Sequence, residues 1–411
     1  MKMSDAANFL SGGTPKKDNT AYWGGNIPWF SASNMDRRFL STSEFNLTEA
    51  GLAKGSRLAP AGSTLLLVRG SGLFNYIPIC FAERDVAFNQ DVKALTPKHG
   101  VDPVFLHYAL EIQRRNLADN LDVTGIGAGK FDTDFLKNLP FPNVDKRDQP
   151  RIGELAASFD RKIELNRQMN ATLEAMAQAI FQDWFVDFGP VRRKIEGATD
   201  PVKILGGLVG DQAQADNMAA LFPQALSAEG IPIGWSIETL EDALTLAYGK
   251  ALPKTARIEG SVPVYGSGGI GGSHDVALVQ GPGIIVGRKG TVGSLFWEAG
   301  DFYAIDTVFY VQPKLGFSLE YLWQLLQTLG LEKMNTDAAV PGLNRNNAYR
   351  LEIVSSDQPV RDAFTELAKS LRNRIDAAEA ESRALAETRD YLLPRLMSGK
   401  VVACESEGGA S

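Results

Sequence analysis

Two kinds of stretch in this sequence could do chemistry: glycine-rich loops, and loops that interleave cations with aromatic and amide side chains. GSGGIG at Gly266–Gly271 has the G-x-G-x-x-G spacing with which a backbone cradles a pyrophosphate. No acidic residue follows at the expected place in a strand–helix–strand unit, and four glycines in a first turn make a poor helix. A flexible loop is expected there instead. GRKGT at Gly287–Thr291 lacks the G-x-x-x-x-G-K-[ST] spacing of a P-loop. The Asn-Pro-Pro-aromatic tetrapeptide of adenine-N6 methyltransferases does not occur, and no pairing of carboxylates with a lysine suggests a nuclease. His99, His107 and His274 are scattered, and with only Cys80 and Cys404 beside them they make no metal-ligand spacing. The expectation is a chain with no catalytic residues, no metal and no bound cofactor of its own.

The second kind of stretch suits contact with a nucleic acid. In the first part of the chain Lys16, Lys17, Trp29, Ser31, Asn34, Arg37 and Arg69 lie in Gly/Ser/aromatic loops. TGIGAGK at Thr124–Lys130 would set backbone N–H groups and the Lys130 ammonium near a phosphate. Further on, Lys250, Lys254, Ser267, His274, Arg288, Lys289, Asn344 and Arg345 form a second set. Arginine pairs bidentately with guanine and asparagine with adenine, so both types suit reading in a groove. Any one of these residues is better explained as a solvated surface group. Their weight comes from occurring as two matched sets.

The elements that must position these sets also occur twice. Ile152, Leu155, Phe159, Ile163, Asn166, Asn170, Leu173, Ala177, Ile180 and Trp184 recur at steps of three and four, the spacing of one helix face. Shifted by 212 residues, the same face reads Phe364, Leu367, Leu371, Ile375, Ala378, Ser382, Leu385, Arg389, Leu392 and Leu396, and only Arg389 departs badly from it. Each helix would be about 50 Å long, which suits a spacer. The repeat extends outward. GGTPK at Gly12 matches YGKALPK at Tyr248, NIPWFSA at Asn26 matches SVPVYGS at Ser261, and LVRGSG at Leu67 matches VGRKGTVG at Val286. A short amphipathic helix is expected after each strand-like run ending at Pro97 and Pro313. An internal repeat of this kind implies a pseudo-two-fold molecule with its long helices antiparallel. In that pairing Asn166 and Asn170 face Ala378 and Ser382, where a buried polar residue would fix register.

The expected fold class is α+β: two mixed α/β domains related by pseudo-two-fold symmetry and separated by an antiparallel pair of long helices. The domains read as 1–148 and 231–358, the helices as 149–188 and 359–400. Residues 189–230 read as a linker with one short helix near Met218–Phe222, and 401–411 as a disordered tail. The net charge of −7 argues mildly against nucleic acid unless local patches or partners supply the positive charge. Two distant cysteines point to a reducing cytoplasm. No apolar run spans a membrane, and MKMSDAANFL is not a signal peptide.

GGTPKKDNTAYWGGNIPWFSASNM at Gly12, AIFQDWFVDFGPVRRKIEG at Ala179, LFPQALSAEGIPIGW at Leu221, GPGIIVGRKGTVG at Gly281 and RDYLLPRLMSGKV at Arg389 resemble the specificity (S, HsdS) subunit of type I restriction–modification systems. The resemblance covers nearly the whole chain. It implies that each domain is a target-recognition domain reading one half of a bipartite DNA site, with the helix pair as a ruler. It also implies two docked methyltransferase (M) subunits supplying S-adenosylmethionine chemistry, and restriction (R) subunits adding ATP- and Mg-dependent translocation and cleavage. One departure is expected: IPIGWSIETLEDA precedes Gly249 in the second unit, and about ten residues of that opening have no counterpart ahead of Gly12 in the first. The competing readings are a stand-alone adenine methyltransferase with drifted motifs and a coiled-coil scaffold that binds proteins only.

Overall fold

The computed structural model describes residues 1–124, 127–334 and 342–400. The expected tail, and Gly125 and Ile126 of the TGIGAGK loop, lie outside the described residues. The chain divides into two compact units, Met1–Asn166 with the segment from Ala380 onward, and Arg167–Glu379. Both boundaries fall inside the long helices, Gln149–Phe181 and Gln358–Met397.

In the first unit a five-stranded sheet runs in the order Ala7–Ser11, Val92–Pro97, Thr64–Leu67, Ile79–Ala82, Phe39–Leu40. A helix, Pro103–Glu111, follows the second of these strands. It starts where it does because Asp102 accepts from the Phe105 N–H at 2.8 Å and Pro103 occupies the first turn. Its Phe105, Leu106 and Leu110 are fully buried.

The second unit repeats this order. Its four-stranded sheet runs Leu244–Tyr248, Val308–Pro313, Gly283–Gly287, Leu295–Glu298. The helix Leu319–Thr328 follows the second strand and is capped by Ser318, which accepts from the Tyr321 N–H at 3.1 Å.

Within each unit the two long helices run antiparallel, and five seam positions of each helix fall in each unit. In the first, Asp160 pairs with Arg389, and Asn166 donates to Ser382 at 3.2 Å. In the second, Asn170 approaches the Ile375 carbonyl at 3.4 Å, Glu174 pairs with Arg372 at 3.1 Å, and Phe181 stacks edge-on against Phe364. Asn166 is buried, donates to Glu381 at 2.7 Å and accepts from Lys162 at 3.0 Å.

Two seam positions need correction. Leu155 is 37% exposed, whereas Ala156 is buried. Leu367 is half-buried, whereas Ala368 is buried. Moving each by one residue gives an unbroken alternation of fours and threes along both helices, the heptad spacing of a coiled coil. The same small residue stands at the shifted position in both copies.

The residues ahead of Gly12 match only the later part of the stretch ahead of Gly249. The short helix Met3–Ala6 corresponds to Leu240–Ala243, and the strands that follow correspond as well. Met3 N–H donates to Leu139 O at 2.7 Å just as Leu240 N–H donates to Leu351 O at 2.8 Å. Lys2 pairs with Pro140 as Thr239 pairs with Glu352. What the second unit adds is the rest of the strand Ser236–Thr239 and the residues before it.

The expected linker is also different. It carries three helices, Gly189–Ile195, Pro201–Ile204 and Gln212–Ala220. Asp200 and Asp211 cap the last two. Val191, Leu205, Ala215, Met218 and Phe222 join the core of the second unit, and Arg193 grips Asp183 through two bonds of 2.9 and 2.6 Å.

Candidate nucleic-acid interface

In the second unit the strand Gly283–Gly287 ends beside Arg288 and Lys289. Lys289 bridges Gly342, and the Leu343 N–H donates to the Arg288 carbonyl at 2.8 Å. Arg288 in turn sends its backbone N–H to Thr307 O at 2.9 Å and its Nη1 to Asp306 O at 2.9 Å. The loop at Lys250 is tied in because its N–H reaches Ala304 O at 2.9 Å. Gly249 is required at that crossing: a Cβ would stand 2.1 Å from the Ile305 carbonyl. Ser294 hydroxyl binds the Ser267 carbonyl at 2.7 Å, and a Cβ on Gly290 would meet Ser267 Oγ at 3.2 Å. Lys250, Ser267, Arg288, Lys289 and Arg345 are thus carried by loops tied to one another at one end of the sheet.

A residue absent from the expected set sits among them. Tyr248, exposed at the end of its strand, has the guanidinium of Arg288 at 4.9 Å and that of Arg345 at 4.8 Å from its ring centroid. Among the described residues neither arginine has a carboxylate within ion-pairing distance. The aromatic-then-glycine pair YGK ahead of Lys250 was the one signal that could have found it.

Two members of the set have structural work instead, and a third stands apart. Asn344 caps the helix Arg345–Tyr349 by accepting from the N–H groups of Asn346 and Asn347 at 2.9 and 3.2 Å. His274 is buried against Tyr303, and its Nδ1 accepts from the Ile258 N–H at 3.1 Å. Its 3.2 Å approach to Asp275 is therefore no ion pair in that tautomer. Lys254 is exposed on the short turn Lys254–Ala256, and no bond links that turn to the loops above.

In the first unit Arg69 and Lys130 come directly opposite each other across two short strands, with Asp122 opposite Lys130 on the other side. Like charges facing across a ladder are unfavourable in isolation and suit an anion. Lys16 and Lys17 are exposed on a loop pinned from beneath by two tryptophans: Trp23 Nε1 donates to Lys16 O at 3.1 Å, and Trp29 Nε1 to Gly13 O at 3.2 Å. Trp29 is buried, so it positions this loop rather than touching a ligand. Asn34 is likewise committed, taking the Ser31 N–H at 2.7 Å and donating to Trp29 O at 3.1 Å and Ser43 Oγ at 2.9 Å. Ser31 forms that same turn, while Arg37 is exposed beyond it.

Among the described residues no group of His, Cys, Asp and Glu could hold a metal ion. No helix among them is long and apolar enough to cross a membrane. Cys80 is buried, and burial pushes its thiol up to about 12, which leaves it unreactive.

Comparison with known proteins agrees with this architecture. A solved type I restriction–modification S subunit from M. genitalium shares the fold, with a TM-score of 0.56 at 16% identity over 96% of this chain and 95% of that one. Residues 1–175 match the family described as the type I restriction modification DNA specificity domain. The MjaIX specificity subunit of Methanocaldococcus jannaschii is 23% identical over 436 aligned positions, covering 97% of this chain and 92% of the relative. The HindI specificity subunit of Haemophilus influenzae is 26% identical over 322, covering 65% and 70%. Along its length the chain is thus similar to specificity subunits of type I restriction–modification systems.

Proposed function

We propose that this chain reads a bipartite double-stranded DNA site, with one recognition domain, 1–148 or 231–358, on each half. The observation that carries the reading is the repetition itself: one sheet order appears twice, each time with cationic loops at the same strand end. The continuous long helices would hold the domains a set distance apart and so fix the unread gap. Lys16, Lys17, Arg37, Arg69 and Lys130 would serve one half-site, and Lys250, Ser267, Arg288, Lys289 and Arg345 the other. Ammonium groups would hold phosphates, the guanidiniums of Arg37, Arg69 and Arg345 are suited to base edges, and Arg288 would position its neighbours.

In this reading the chain is the non-catalytic component of its complex. Two methyltransferase subunits dock on it and carry S-adenosylmethionine, and restriction subunits carry ATP and Mg. The setting would be the cytoplasm. The net charge of −7 fits a clamp whose positive charge comes partly from those partners.

The test is a domain exchange. Residues 231–356 are replaced by the matching part of a relative, the protein is expressed with its methyltransferase partner, and methylated sites in host DNA are mapped. One half of a split site should change while the other half and the gap stay. An unchanged site, or binding of equal strength to all duplexes across a salt series, would sink the reading.

A further inference from the structure

We infer that Arg345 is the base-reading residue of the second recognition domain and that it reads a guanine; this rests on the DNA-reading function proposed above. Arg345 opens a short helix whose start is fixed by the Asn344 cap. Its guanidinium is held by ring faces alone, 4.8 Å from the Tyr248 centroid and 5.7 Å from that of Tyr349. It makes no hydrogen bond or ion pair among the described residues, and its buried Nε has no partner. The four N–H donors on its two Nη atoms are thus aimed by stacking and none is spent.

The neighbouring cations differ. Arg288 has committed Nη1 to the Asp306 carbonyl and shares the Tyr248 ring, so it is a positioning residue. Lys250 and Lys289 are exposed ammonium groups on flexible stems, which suit phosphates. A planar fork fixed in orientation suits the paired O6 and N7 acceptors of guanine, a directional contact that a phosphate does not demand.

The repeat supplies an independent argument. In the first unit Thr133 stands where Arg345 stands, Ser11 where Tyr248 stands, and Val68 where Arg288 stands. The frame around them is unchanged: Phe131 N–H donates to Val68 O at 3.0 Å as Leu343 N–H donates to Arg288 O at 2.8 Å, and Asp132 caps its helix as Asn344 does. A conserved frame that carries different side chains at one spot is what two domains reading different sequences require.

The experiment uses the full chain with its methyltransferase subunit, mapping methylated sites and measuring competition among duplexes randomised at each position. The wild-type site should contain a guanine whose replacement costs roughly 5- to 150-fold. Arg345→Ala and Arg345→Lys should each erase that preference at that one position of one half-site, leaving the other half intact. Tyr248→Leu should weaken the same preference and Tyr248→Phe should keep it. A lysine variant that retains guanine preference, or that loses affinity equally for all duplexes, overturns the inference. In that case a wild-type split site still stands as evidence for the proposed function, whereas a wild type with no split site removes the function itself.

Discussion

In each unit one carboxylate of the first long helix pairs with an arginine of the second, and the two carboxylates live in different surroundings. In the first unit Asp160 is almost completely buried, with 3% of its side chain exposed. It accepts from Tyr108 hydroxyl at 2.6 Å, from Arg38 Nε at 3.1 Å and from Arg389. Burial and the Asp160 charge together hold the Tyr108 phenol far above its usual range. In the second unit Glu174 keeps 26% of its side chain exposed. It accepts from Trp323 Nε1 at 2.5 Å, Gln324 at 3.0 Å and Gln327 at 3.3 Å, and pairs with Arg372 at 3.1 Å, which also lies over Trp297. Tyr108 and Gln324 occupy equivalent places on equivalent helices, so the donor site is repeated. The first knot is charged and dry, while the second is mostly neutral and partly wet. A desolvated pair is costly to break because the surviving charge stays buried.

The sharpest way to break this comparison is to delete both acids. Asp160→Ala leaves Arg38 and Arg389 facing each other and should cost about 3–5 kcal/mol. Glu174→Ala should cost only about 1–3 kcal/mol. Denaturant titration with hydrogen exchange read separately in each unit would decide, and equal losses would contradict the contrast drawn here. Next comes a change at which the units should agree. Ala156→Leu and Ala368→Leu overfill the same seam position and should each cost about 1–3 kcal/mol. Leu155→Ala should stay within about 0.5 kcal/mol.

A smaller effect separates the units by pH. His107, fully buried with neither ring nitrogen paired, stands where the second unit has Trp323. Burial, and then the charges of Arg38, Arg114 and Arg389, hold it well below its ordinary value, so the folded protein keeps it neutral. The unfolded chain takes up a proton below about pH 6.5. Stability is therefore lost as pH falls through that value, by at most about 1.4 kcal/mol per pH unit. His107→Phe should remove this limb of the stability curve, measured as the difference from wild type between pH 7 and 5. The smallest effect belongs to the phosphate-type cations. Lys289→Ala should weaken binding evenly across sequences and lower the salt slope by about one.

Much of the fold was legible because it is written in periods. The helix seam and the strand-ending prolines repeat at fixed offsets, and spacing survives a change of residue. At Leu155 and Leu367 a large apolar side chain masks the alanine beside it, where the heptad step and close packing favour the small residue. Helix packing explains the choice elsewhere too: a Cβ on Gly153 would come within 2.8 Å of the Phe105 nitrogen. The helices within 189–230 were missed because they are short and their signals local, Asp-Pro at 200–201 and Asp211. The cation loops were legible as a composition, but not residue by residue. Nothing in a sequence distinguishes Asn344 as a cap from Arg345 as a free fork, and Trp29 reads as a contact until its N–H is seen holding Gly13.

The polarity of the two knots has a consequence for how such a chain can be divided. The first helix supplies the acid in both, and the second helix supplies the base. Arg372 stands in the second helix where Asp160 stands in the first, so laying one first helix on another would set Asp160 against Glu174, anion to anion. Arg389 is matched in the first helix by Ala177, so Asp160 would also lose its countercharge. Severed halves of this molecule would therefore favour reunion with each other over twinning with a sibling.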